Sequence, residues 1–359
     1  MGNHQTVLLD RFSVVWHSAN VHSRRSRQGC NIGKGGYGRP CRRVSRTSGR
    51  AAWEALGYGM FIHFGMSTFN GDELSRGDRS SMLYAPDDLD VDQWIRVARD
   101  AGMRYAVLTA KHVSGHCLWP SKHTDYDVET SGCRTDVVAS FVSACAKYGV
   151  VPGLYYCSWD NHHRFGSVTP SFAREQSPFT TEAYRVFQMA QLDELLTGYG
   201  PLGEVWIDIP NVLGADGRRV QYQQIAGLQP EAVIMMNHGI GDGARLNLDR
   251  AWPTDLMAIE RFLPNSNHGY NPWFRIAAKQ EGEQDCYIPG EVCDPLRYAW
   301  FHVDNDKPRS GAELLGMRLI CRERSVNLLL DVPPDRRGVI PQRSVDALMQ
   351  LGEDFGRVG

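Results

Sequence analysis

Asp208 closes an otherwise apolar run, Glu204-Val205-Trp206-Ile207-Asp208. A carboxylate there is either buried at a cost of several kcal/mol or held at a pocket floor to do chemistry. A helix cap is a poor account of it, because Ile209 and Pro210 follow and no helical period starts. Glu260 stands in the same relation to a second short run, Thr254 to Ile259. Two carboxylates flanking one pocket are what glycosidic-bond cleavage requires, one to protonate the leaving oxygen and one to attack or to activate water. Trp119, Trp159, Trp206, Trp252, Trp273 and Trp300 lie in or near run ends and loops, where indole faces suit either the C–H faces of sugars or an ordinary core. A divalent site is the rival chemistry, since His112 and His116 are four apart and His162-His163 follow another run. Gly115 and the end of a strand intervene, so the first pair does not share a helix face, and no metal is expected.

These residues need elements to position them. Apolar runs at Gly59–His63, Tyr105–His112, Val151–Tyr156, Glu204–Asp208, Ala232–Asn237, Thr254–Ile259 and Val326–Val332 read as buried parallel strands. Amphipathic helices are predicted between them at Asp88–Ala101, Asp136–Tyr148 and Thr181–Tyr199, stopped by Gly102, Gly149 and Gly200, with a last helix at Arg343–Phe355. The alternation and the 300-residue span predict a single, somewhat irregular (β/α)8 barrel rather than an open sheet. Such barrels build their sites where the strands end, so His63, His112, Asp208 and Asn237 are expected to face one pocket.

The 359 residues are 42% hydrophobic and 22% charged, which excludes a wholly disordered chain. A net charge of -2 supplies no field for nucleic acid or an anionic membrane. No apolar stretch is long enough for a transmembrane helix, and Asp10 and Arg11 interrupt the only candidate signal sequence, which leaves the cytoplasm as the default expectation. Residues 1–50 hold ten Lys and Arg against Asp10 as the one acid, and their Arg, Gly and Ser content predicts a disordered basic leader ahead of a barrel spanning 51–359. Nine cysteines without a C-x-x-C pair, several inside apolar runs, read as reduced core thiols.

The segments GMFIHFGMSTF, YAVLTAKHVSGHCLWPSKHTDYDV, PGLYYCSWD, QLDELLTGYGPLGEVWIDIP and VNLLLDVPPDRRGVIP resemble, in order and over roughly residues 53–355, the α-L-fucosidases of glycoside hydrolase family 29. The resemblance implies a retaining enzyme without metal or organic cofactor, acting on an oligosaccharide or glycoconjugate. It makes Asp208 the nucleophile and Glu260, five residues after Asp255, the acid/base, with Glu291 and Glu73 as fallbacks. His63 and His112 would bind sugar hydroxyls; Tyr155, Tyr156 and Trp206 would line the pocket, and Asn237 and Glu73 complete the substrate-binding set. Two positions depart from the family pattern: Val113 replaces the second His of K-H-H-D-G-F, and His238 stands where an Arg often follows the Asn. Each removes a hydroxyl partner and leaves room for another fucose-like sugar such as an α-galactoside, or for a non-catalytic carbohydrate-binding barrel. The family's C-terminal β-sandwich is not expected here, since four residues follow the last predicted helix.

Overall fold

A computed structural model describes residues 47–163, 180–237, 251–264, 275–276 and 286–358. The expected leader lies outside the described residues up to position 46, and a helix α1 (Thr47–Glu54) begins inside the stretch assigned to it. Apart from an antiparallel pairing of Arg275–Ile276 with Cys286–Tyr287, eight strands form one sheet: β1 (Tyr58–Ile62), β2 (Tyr105–Lys111), β3 (Val151–Cys157), β4 (Glu204–Asp208), β5 (Val233–Asn237), β6 (Met257–Glu260), β7 (Gly290–Pro295) and β8 (Asn327–Asp331). All their pairings are parallel, in the order β5-β4-β3-β2-β1-β8-β7-β6. The helices are α2 (Met66–Asn70), α3 (Val91–Asp100), α4 (Val137–Tyr148), α5 (Glu182–Gly198), α6 (Gly214–Leu228), α7 (Gly311–Glu323) and α8 (Gln342–Val358). The result is the expected (β/α)8-type barrel.

Local sequence accounts for the element boundaries. Asp90, Asp136, Thr181 and Ser310 each cap a helix by accepting from the amide three residues on. Gly149 closes α4 at a left-handed φ of 69°, which a side chain would resist. The strands are buried on both faces, hence their near-continuous apolar runs. One face packs on the helices through residues such as Met60, Leu108, Tyr156 and Ile207. The other fills the barrel with Phe61, Tyr105, Val107, Tyr155, Trp206, Met235 and Leu329.

Between β5 and β6 there is no strand ladder. The segment before β6 closes the gap with side chains: Asp255 accepts from the Ile234 amide at 3.0 Å and Thr254 Oγ1 from the Met236 amide at 3.1 Å, while the Asp255 amide donates to the Ile234 carbonyl at 2.8 Å. Tyr222 on α6 donates to Asp255 from outside at 2.7 Å. No helix of the described residues is long and apolar enough to cross a membrane.

Candidate active site

Parallel register sets Cys157, Asp208 and Asn237 level with one another at the ends of β3, β4 and β5. Asp208 therefore meets two side-chain donors: the Tyr155 hydroxyl at 2.6 Å on Oδ2 and the Asn237 amide at 2.9 Å on Oδ1. The same Asn237 nitrogen lies 3.3 Å from Glu260 Oε2, so the nearest oxygens of the two carboxyls are no farther apart than those two distances together. Ile209 and Arg261, each directly after one of these carboxylates, hold left-handed φ angles of 50° and 59°. A β-branched residue there is strained, and the strain is sustained by the packing that aims Asp208 inward.

Burial pushes Asp208 above the ordinary aspartate range, against the bonds from Tyr155, Asn237 and the Ile209 amide that favour its ionised form. Glu260 is also raised, first by burial and then by the Asp208 charge, with Asn237 and Arg261 opposing. Of two carboxyls pushed upward side by side, Asp208 has more donors to its anion, and its charge favours the protonated form of Glu260.

His63 lies buried just beyond β1, with Nδ1 2.8 Å from Asp331 Oδ1 at the end of β8. Burial lowers His63 to about 3 and raises Asp331 well above its usual range, so both stay neutral. With Nδ1 committed to Asp331, Nε2 is the ring nitrogen left for another partner. Trp300 and Phe301, in the loop after β7, pack on His63 at centroid distances of 5.1 and 5.3 Å. His112 stacks on Tyr155 at 5.7 Å and meets Phe301 edge-on at 5.0 Å. Arg261 lies 4.9 Å over the Trp300 ring and donates to the Tyr298 carbonyl. The result is an aromatic cup with two carboxyls and two neutral imidazoles.

The structure gathers Asp208, Glu260, His63, His112, Tyr155 and Asn237 at one rim, with Glu73 exposed nearby and within electrostatic reach of His63, Glu260 and Arg261. Asn237, expected to bind sugar, instead bonds both carboxyls. Tyr156 does not line the pocket: one step along β3 from Tyr155, it faces α5 and donates to Gln191 at 2.9 Å. Trp206 is floor rather than wall, stacked under Tyr155 and 2% exposed. Glu291 sits below the rim in the barrel interior, fully buried, and does not reach it. Val113 is buried among the inner apolar residues, and His238 and Trp273 lie outside the described residues. Sequence reasoning missed Asp331, Arg261 and Phe301; the signal for Asp331 was available, since it closes an apolar run as Asp208 does.

Three of the four histidines of the metal alternative have other partners: His116 bonds Ser131, His162 the Gly77 carbonyl, and His163 both Asp160 and Thr124. Among the described residues no three His, Cys, Asp or Glu are grouped to hold a metal ion.

Comparison with known proteins identifies the family and agrees with the fold. The family model for α-L-fucosidase matches residues 78–357. α-L-Fucosidase 1 of Arabidopsis thaliana is 32% identical over 324 residues, covering 86% of this chain and 59% of its own length. An α-L-fucosidase of Dictyostelium discoideum is 24% identical, covering 73% and 53%. The chain thus spans a little over half the length of these relatives. Among solved structures, α-L-fucosidase isoenzyme 1 of Paenibacillus thiaminolyticus superposes with a TM-score of 0.71 at 25% identity, covering 87% of this chain and 76% of that one.

Proposed function

The chain belongs to the α-L-fucosidase family, glycoside hydrolase family 29, and from that membership we propose that it hydrolyses terminal α-L-fucosyl linkages of oligosaccharides or glycoconjugates by double displacement. Asp208 attacks the anomeric carbon while Glu260 protonates the departing oxygen; Glu260 then deprotonates the water that releases the sugar from Asp208. The observation that carries this reading is the single Asn237 amide bonded to both carboxyls. It holds the two carboxyls within reach of one small donor, which suits the ~5–5.5 Å spacing of retaining enzymes.

The electrostatics supply the change of role. In the resting site the Asp208 charge favours a protonated Glu260. Esterifying Asp208 removes that charge, so Glu260 becomes a stronger acid once its proton is given up and persists as the base for the second step. His63 Nε2 and His112 are placed to accept from or donate to sugar hydroxyls, Trp300 and Phe301 to pack on the C–H face, and Tyr155 and Asn237 to hold Asp208 in line.

Hydrolysis of aryl α-L-fucoside, α-galactoside and β-arabinoside side by side tests the reading. Turnover of the fucoside above the other two, with retained configuration in the first-formed sugar, is expected. Preference for the galactoside, or inverted product, overturns it.

A further inference from the structure

Two carboxyls inside the barrel have no part in the proposed reaction. Glu204 at the start of β4 and Glu291 on β7 are buried to 1% and 0% exposure. Glu204 Oε2 accepts from the Trp53 indole at 3.0 Å. Glu291 accepts from the Tyr105 hydroxyl at 2.6 Å on Oε1 and from the Trp206 indole at 3.0 Å on Oε2. Glu204 Oε1 is buried and has no hydrogen-bond partner, while the Glu291 carboxyl acts directly on Glu204. Two glycines make the space: a Cβ on Gly59 would overlap the Tyr105 ring, and one on Gly153 would crowd Val107 at 3.0 Å and Glu204 at 3.2 Å.

Two ionised carboxylates side by side in the interior, one of them with an oxygen that meets no donor, are costly, so one of the pair is assigned as an acid. Glu204 has one donor and an unpartnered oxygen where Glu291 has a donor on each oxygen, which points to Glu204 as the acid, and burial and the Glu291 charge favour the same form. Glu291 is then a carboxylate with three donors, Tyr105, Trp206 and Glu204, which suits a buried anion. The other titratable groups facing the pair are the Tyr105 phenol and the Cys293 thiol, both held neutral, and among the described residues no Lys, Arg or His forms an ion pair with either carboxyl. Above Glu291 the Trp206 ring lies 5.5 Å from Tyr155 at 22° to it, and Tyr155 donates to Asp208.

We propose that Glu204 and Glu291 share one proton in the barrel floor and act as positioning residues, fixing Trp206 through its indole nitrogen and so the Tyr155 hydroxyl that orients Asp208. The inference rests on the reading of Asp208 as nucleophile, so its test has an arm that needs no turnover.

In infrared difference spectra at pH 8, Glu204→Gln minus wild type is expected to show loss of one protonated-carboxyl stretch above the amide I band. Loss of a carboxylate band instead overturns the shared proton. Glu291→Gln leaves one acceptor oxygen for three donors, and kcat on the aryl fucoside is expected to fall by about 10- to 100-fold with KM changed by less than about threefold. An unchanged kcat in a folded Glu291→Gln protein, or a fall carried by KM, overturns the positioning role. Trp206→Phe keeps both carboxyls and cuts the link, so it decides the matter if Glu291→Gln does not fold: kcat is expected to fall alike while the acid band stays. Retention of full kcat in Trp206→Phe overturns the proposal. If wild type turns over no fucoside, the proposed reaction has failed, and the infrared arm still decides for or against the shared proton.

Discussion

Asp208 is bonded by Tyr155, Asn237 and the amide of Ile209, while Glu260 shares the Asn237 amide and faces the Asp208 charge. The two residues should therefore fail differently. Asp208→Gly is expected to lower kcat at least about 1,000-fold on every fucoside, because no leaving group replaces the missing nucleophile. Glu260→Ala should spare an aryl fucoside with an acidic phenol in the first step, and azide, needing no deprotonation, should then yield the retained fucosyl azide, read by NMR of the product. Arg261 favours the ionised form of Glu260, so Arg261→Gln should raise the Glu260 pKa and move the alkaline limb of kcat/KM to higher pH; a limb that stays or moves down contradicts this placement. Asp208, Glu260, His63 and Asn237 were legible in the sequence because each is a polar residue ending an apolar run. Tyr155 and Tyr156 were not separable, since β3 is buried on both faces and its alternation is invisible in composition. Arg261 carries no signal at all, because its role comes from a backbone turn and a stack on a residue 39 positions away.

At the scale of elements, β1 to β5 and β8 could be read within a residue or two, since apolar runs bounded by polar residues leave few alternatives. β7 was not read as a strand: Gly290, Glu291, Asp294 and Pro295 make four of its six residues poor strand formers, and its burial inside the barrel outweighs their propensity. Asp255 was noted only for its distance from Glu260, yet its work is to join β6 to β5. Removing its carboxylate leaves the Ile234 amide and the Tyr222 hydroxyl buried without that partner. At ~1–3 kcal/mol for each such group, Asp255→Ala is expected to lower stability by about 3 kcal/mol or more, measured by urea unfolding, whereas Tyr156→Phe, outside the pocket, should leave KM unchanged.

Across the whole molecule, the buried His63 and His116 and the half-buried His112 are held neutral by desolvation, His63 and His116 at about 3. Below pH ~6.5 the unfolded chain takes up protons that the folded one refuses, so each histidine removes about 1.4 kcal/mol of stability per pH unit on the way down. The raised carboxyls Asp208, Glu260, Asp331, Glu204 and Glu291 have the opposite sign, favouring the fold as they protonate, so the total slope mixes both. His116 is isolated from the pocket by Ser131, Tyr84 and Tyr126, and His116→Asn should flatten the decline of Tm between pH 6.5 and 4 relative to wild type without moving the pH profile of activity. The side-chain seam between β5 and β6 sets the order in which the molecule comes apart. Seven of the eight strand contacts are continuous ladders that must break along their length, while the eighth depends on Thr254 and Asp255. The barrel is in this sense a rolled ribbon fastened by a clasp, and on heating it should open there first, unrolling Asn237 from Glu260 and extinguishing the active site while β8, β1 and β2 on the far side still hold together.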